Sequence, residues 1–328
     1  MPSHSRPLRV YDIRFTACSV SQLAKHVRID ALAIDLWVDR VNPAEIVPGP
    51  MPAELIFVGP PADAARWVLL VDCLNFCFWT TSGQPWTVEY QGRSWQRCYA
   101  LVASLRRAVA TDARWLTPER WSDATAAQLE TVFAGAGRIP MFEDRVRILN
   151  ETGRLIGSRF SDDALNLAEE AGFQADRIAA LACSAFPSFR DIHIYRSLDV
   201  AILKRAQLFA SDLADALARN QGPALAGREK LTAFADYRLP QILRHLKILR
   251  IESDLEERIE KGELIEASSP QEIELRACTI HAVELMVQAL RERRGVDKPA
   301  WMVDEYLWYH SHDADVTNQH HRTVTWHY

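Results

Sequence analysis

Apolar residues recur at roughly helical spacing along most of the chain. Between residues 21 and 37, Leu23, Val27, Leu32, Ile34 and Leu36 follow Ser19 or Ser21 as a cap, which predicts one helix over this stretch. The same pattern predicts helices over residues 125–133, 161–171, 176–186, 199–218, 240–246 and 270–294. Residues 85–90 (PWTVEY) differ: Trp, Val and Tyr alternate with polar residues before the turn pair Gln91-Gly92, the mark of a short strand or hairpin edge. A second strand is expected at residues 191–195 (DIHIY). These elements predict a mainly α protein, a compact helical domain with a small β element. One domain over residues 1–328 is expected, with an amino-terminal lobe to about residue 138 and a catalytic lobe over 139–328. The Pro-rich segment 47–61 is the clearest break, yet it separates only one or two helices from the rest.

Composition narrows the class. Hydrophobic residues make up 48% and charged residues 25%, the balance of a packed globular protein with a core large enough to hold a pocket. A net charge of −5 and a pI near 6.1 argue against tracking along nucleic acid, but leave room for local cations that hold a single nucleotide. The opening MPSHSRPLRV is polar and basic with no apolar segment after it, so no secretory signal is expected. The apolar run 67–79 is too short to span a bilayer and carries Asp72 and Asn75. A cytoplasmic location, no membrane partner and a monomer are the expectations. The six cysteines lack paired CxxC spacing and read as buried free thiols.

Five segments carry candidate chemistry. In residues 71–92, Phe76, Phe78, Trp79, Trp86 and Tyr90 surround Asp72 and Asn75. They suit either a packed core or a site that sandwiches a heterocycle and reads its edge. In residues 141–153, Val146 and Leu149 face inward, the charges read as a solvated face, and Gly153 reads as the residue that ends the helix. In residues 199–213, Lys204, Gln207, Leu208, Ser211 and Asp212 share one side of a helix, although a helical lysine is usually exposed. In FADYRLPQ, Asp236 and Tyr237 precede Pro240 at a helix start, where capping is the simpler job for the carboxylate. The last segment, residues 304–328, holds His310, His312, His320, His321 and His327, five of the ten histidines. A metal site is one reading, but no ordered zinc spacing is present. No Walker motif, GxGxxG or GxSxG occurs, and no cofactor is signalled.

Taken in order, LNFCFW, PWTVEYQG, RILNETG, FPSFRD, KRAQ, FADYRLPQ, the stretch 272–276, DEYLW and HHR closely resemble the queuosine salvage proteins, the queuosine 5′-phosphate N-glycosidases, from about residue 16 onward. The sequence departs from that pattern at residues 98–101 (CYAL), where a more aromatic stretch is usual, and at Glu305, where Tyr is common. The resemblance implies a mostly helical fold similar to the helix-hairpin-helix DNA glycosylases. It also implies hydrolysis of the bond between ribose C1′ and N9 of queuine, a 7-deazaguanine, in queuosine 5′-monophosphate. Asp236 matches the family's catalytic aspartate and Lys204 an active-site position. There an ammonium would favour the charged form of a nearby carboxylate, or bind ribose hydroxyls or phosphate. Asp72, Asn75, Phe76, Trp79, Tyr237 and Asp304 are the base-binding candidates; His321, Arg322 and Arg238 are those for phosphate and ribose. Three rival readings stand beside this one: a nucleic-acid-binding relative of DNA glycosylases, a metal-dependent hydrolase built on the carboxy-terminal histidines, and a purely structural helical scaffold, which leaves Asn75, Lys204, Asp236 and Asp304 without a reason.

Overall fold

Local sequence rules place the longest helix to the residue. Pro270–Arg294 begins behind Ser269, whose hydroxyl accepts the Glu272 N–H, and stops at Gly295 in the left-handed conformation (φ 63°). The computed structural model describes residues 11–80 and 83–328, with fourteen α-helices and six short strands in three antiparallel pairs. The chain is mainly helical, as expected. The amino-terminal stretch 1–10, read above for a signal, and Thr81 and Ser82 of the aromatic segment lie outside the described residues. Among the described residues no helix is long and apolar enough to cross a membrane.

The chain divides into two compact units, each assembled from more than one stretch of sequence. One unit is built from Leu55–Arg190 and Arg205–Arg228. Its expected hairpin forms, Thr87–Tyr90 against Arg93–Gln96, with Val88 opposite Trp95. Thr125 and Gln128 cap the helix Ala126–Val132 reciprocally, close to its predicted start. Gly153 does not end its helix. Phe142–Phe160 runs through it and crosses Pro118–Ser122 there, and a Cβ at residue 153 would stand 2.4 Å from the Ser122 nitrogen. The glycine permits close helix packing and is not a stop signal. Nor are all the charges of this segment solvated: Arg145 is fully buried on the stripe of Phe142, Ile148 and Leu149.

The other unit contains Asp12–Glu54, Asp191–Lys204 and Glu229–Tyr328. Pro270–Arg294 lies at its centre, packed against Ile13–Leu23, Ala31–Arg40 and Ala300–His310, with Ile273, Leu275, Ile280, Val283 and Met286 in the core. The single helix expected over residues 21–37 is instead two helices with a strand between them. Buried Glu274 enforces the break: its Oε2 accepts the N–H groups of Lys25 (3.0 Å), His26 (2.6 Å) and Val27 (3.2 Å). Val27–Ile29 then pairs with Leu249–Ile251, and Asp30 caps the next helix. The helix expected from residue 199 likewise starts later. Leu198–Ala201 pairs with Ile192–Tyr195, the second expected strand, and the helix is Lys204–Arg219.

Cys73, Cys77, Cys183 and Cys278 are buried, whereas Cys18 and Cys98 are partly exposed. Burial pushes the thiols of Cys73 and Cys278 up to about 12, which keeps them unreactive at neutral pH.

Candidate active site

The buried segment 232–237 is tied at three successive residues. The Phe234 N–H donates to Asp304 Oδ1 (2.7 Å), and the Ala235 carbonyl accepts from Arg276 Nε (3.0 Å). Asp236 turns its own Oδ1 back to the N–H groups of Arg238 (2.6 Å) and Leu239 (3.1 Å), at the start of Arg238–His245. The capping role read from the sequence is therefore real. It engages one oxygen: among the described residues no hydrogen bond reaches Oδ2. Asp236 is 7% exposed, and so is Lys204, at the first position of its helix. The Lys204 N–H donates to Asp191 Oδ2 (3.0 Å), while its ammonium has no hydrogen bond or ion pair among the described residues.

Asp304 completes this set. Burial pushes its carboxyl well above the usual range, the Phe234 N–H works against that, the charges of Asp236 and Glu305 add to the rise, and Lys204 opposes it. A carboxyl whose folded pKa is raised binds its proton more tightly in the folded state. Its contribution to stability is complete below the unfolded value and is lost as pH climbs through the raised one. Asp304→Asn keeps an acceptor for the Phe234 N–H and removes the charge. It should raise the Tm by roughly 2–4 °C at pH 8 and leave it unchanged near pH 4. Melting curves across that range check this; parallel curves for both proteins would contradict it.

Asp191 and Arg276 connect to these groups through the Lys204 N–H and the Ala235 carbonyl. Arg276 grips the acid with two bonds, Nη1 to Oδ1 (2.9 Å) and Nη2 to Oδ2 (2.6 Å), and reaches Glu272 Oε1 (3.3 Å). Burial alone would raise the Asp191 carboxyl, but Arg276, His327 and His193 together hold it well below the usual range. His193 sits with Nε2 2.7 Å from Asp191 Oδ1 and Nδ1 2.9 Å from Ser268 Oγ. Donation to the acid requires the proton on Nε2 and leaves Nδ1 to accept from the serine. Asp191, His193 and His327 also present ligand atoms within 4.8 Å of one another. A dication there would face the Arg276 guanidinium, which already takes both carboxylate oxygens. The trio fits a hydrogen-bonded charge network better than a metal centre.

The other candidates of this unit divide. Tyr237 is buried and stacks near His320, with ring centres 4.6 Å apart. His321 is buried with Nε2 3.1 Å from the Tyr328 hydroxyl. Burial, then the charges of His320, Arg276 and Arg244, hold its pKa well below the usual range, so it brings no positive charge to a phosphate at pH 7. Arg238 donates through Nη1 to Gln241 Oε1 (2.8 Å). Arg322 lies against Gly262, whose left-handed backbone (φ 71°) and missing Cβ leave the space that the guanidinium fills. Its guanidinium has no ion pair among the described residues, and its buried Nε lacks a hydrogen-bond partner.

In the other unit, Asp72 ends the helix Pro61–Asp72 and is fully buried; its Oδ1 accepts from Asn75 Nδ2 (3.3 Å). The Phe76 ring is buried with the guanidinium carbons of Arg145 and Arg205 at 4.2 and 5.1 Å from its centre, which leaves it ill suited to stack on a ligand. Those arginines also bind the backbone here: Arg145 donates to the carbonyls of Leu74, Phe76 and Cys77, and Arg205 to those of Asp72 and Cys73. Trp79 is partly buried, and its indole N–H is a buried donor with no partner among the described residues.

The sequence does not single out Asp191 and Arg276 as site residues. The available signal was Glu272, Glu274 and Arg276, three charges in a stretch whose every residue is buried.

Comparison with known proteins gives one answer. The family described as queuosine salvage protein matches residues 58–328. A Sphaerobacter thermophilus protein named queuosine 5′-phosphate N-glycosylase/hydrolase is 37% identical over 317 residues, covering 94% of this chain and 95% of that one. Proteins of the same name from Mus musculus (33% over 254 residues, 75% of each chain) and Schizosaccharomyces pombe (32% over 255 residues, 74% of this chain and 73% of that one) are also similar. The chain belongs to the queuosine salvage protein family.

Proposed function

We propose that this protein hydrolyses the N-glycosidic bond of queuosine 5′-monophosphate, releasing queuine and ribose 5-phosphate. The observation that carries the reading is Asp236, a buried carboxyl with one oxygen fixed to a helix start and the other without a hydrogen bond among the described residues, in a chain 37% identical over 94% of its length to a named glycosylase/hydrolase. The C1′–N9 bond breaks with its electron pair passing to the base. Positive charge grows on the ribose, and Asp236 stabilises it while taking a proton from the water that bonds to C1′; that proton passes through solvent to N9 of the departing base, which restores the carboxylate and leaves neutral queuine. A 7-deazapurine has no N7 to protonate, so catalysis leans on the cation and on hydrogen bonds to the rest of the base. Lys204 supplies a donor and a positive charge near Asp304. Asp304, whose Oδ1 is fixed to the Phe234 N–H, is proposed as the acceptor for the cationic secondary amine of the queuine side arm. For Asp72, Asn75 and Trp79 we propose contacts with the heterocycle, and the Trp79 N–H, which has no partner among the described residues, supports this. Kinship with helix-hairpin-helix DNA glycosylases is proposed on the family resemblance and the helical build. A monomer in the cytoplasm remains the accompanying proposal.

Base release from the 5′-nucleotide, from the nucleoside and from queuosine-containing tRNA tests this reading. The free nucleotide should be cleaved best; cleavage of the tRNA alone would favour the nucleic-acid reading. Arg322 is the proposed phosphate ligand, since its guanidinium has no ion pair among the described residues. Arg322→Ala should lower kcat/KM about 10²-fold for the nucleotide and less than about threefold for the nucleoside. Equal losses on the two substrates would remove Arg322 from that role.

A further inference from the structure

We infer that Asp191 and Arg276 are positioning residues for the hydrolysis, forming a rigid bridge that fixes Lys204 at one end and Asp236 at the other; the inference rests on the hydrolase reading above. One oxygen of Asp191 receives the Lys204 backbone N–H (3.0 Å) as well as Arg276 Nη2 (2.6 Å). On the same guanidinium, Nε donates to the Ala235 carbonyl (3.0 Å), one residue before Asp236. Lys204 and Asp236 are thus linked through one planar guanidinium and one carboxylate, with every connecting bond made to a backbone group or across the ion pair. Both members are interior, with Asp191 1% and Arg276 0% exposed.

The surroundings restrict the bridge further. Glu272 Oε1 lies 3.3 Å from Arg276 Nη1, and the Tyr328 ring centre lies 4.2 Å from the guanidinium carbon. His193 holds the second Asp191 oxygen at 2.7 Å. A bidentate pair confined in this way has one orientation, which suits a device that spaces two other side chains. Neither member needs to touch substrate. Each acts through the backbone of the residue it holds, and a displacement of about 1 Å in a reacting group can cost about 10²-fold in rate.

The test is steady-state hydrolysis of queuosine 5′-monophosphate by the full chain and three variants, well below each one's melting temperature. Asp191→Asn keeps an oxygen for the Lys204 N–H; Asp191→Ala keeps none; Arg276→Lys keeps the charge but loses the fork. Expected are kcat losses of about 10-fold for Asn and Lys and about 10²-fold for Ala, with KM within about threefold of the intact protein. Recovery of kcat by Asn relative to Ala, at constant KM, is the signature of positioning. Folded variants with unchanged kcat, or with losses confined to KM, would overturn the inference. Failure of all three to fold would make the bridge purely structural and overturn it equally. If the intact protein releases no base, the hydrolase reading itself has failed, a separate outcome.

Discussion

Asp236→Asn is expected to lower kcat for queuosine 5′-monophosphate by about 10³-fold while the fold and KM stay nearly unchanged. The geometry makes this substitution unusually informative. Asp236 has two jobs, because Oδ1 accepts the Arg238 and Leu239 N–H groups that open a helix. An asparagine oxygen can accept both bonds, so the helix start survives. The negative charge does not survive, and it is the charge that a developing ribosyl cation requires. Asp236→Ala would remove both and confuse the two effects. Circular dichroism, melting temperature and single-turnover rates on the Asn variant separate them. A variant that melts normally and keeps more than about a tenth of the rate would show that the carboxylate is only a cap.

Lys204→Met should move activity and stability in opposite directions. Lys204 is 7% exposed and its ammonium makes no hydrogen bond or ion pair among the described residues, so a charge on this largely buried side chain is not repaid by a partner. Methionine has similar length and no charge, so the folded state should gain, or at least not lose, thermal stability. Its backbone N–H to Asp191 Oδ2 is unaffected by the change. The rate should nonetheless fall by about 10²-fold, since the positive charge beside the carboxyl groups and a donor for substrate are gone. Charge retained at a cost to stability marks a functional group more reliably than charge alone. A methionine variant that loses stability and keeps its rate would make Lys204 structural.

Much of the helical build was legible because its signals are local. Ser269, Pro270 and Gly295 bound the longest helix, and Thr125 and Gln128 mark another start. What escaped depended on distant partners. The break between residues 23 and 31 is imposed by Glu274 and by pairing with Leu249–Ile251, more than two hundred residues along the chain, while Leu32 and Leu36, counted as apolar helix positions, are exposed. Gly153 obeys a local rule for a helix end, but the neighbouring helix at Pro118–Ser122 reassigns it. Arg145 reads as solvated until the carbonyls of Leu74, Phe76 and Cys77 are seen around it.

For the site, family resemblance pointed to Asp236 and Lys204, and the structure adds a physical frame for each. His321 and Phe76 already have neighbours inside the protein, the first at the Tyr328 hydroxyl and the second at the guanidinium groups of Arg145 and Arg205. Spacing along a chain cannot reveal that a side chain is already engaged. Asp191 and Arg276 escaped for a related reason: they act through backbone groups of other residues, which leaves no motif of their own.

The most direct test is to incubate the intact, metal-free protein with queuosine 5′-monophosphate and quantify both products. The predicted result is queuine and ribose 5-phosphate in equal amounts over many turnovers, with Asp236→Asn binding the nucleotide but releasing almost none. Well-folded intact protein that binds the nucleotide and leaves its glycosidic bond whole would contradict the proposed hydrolysis.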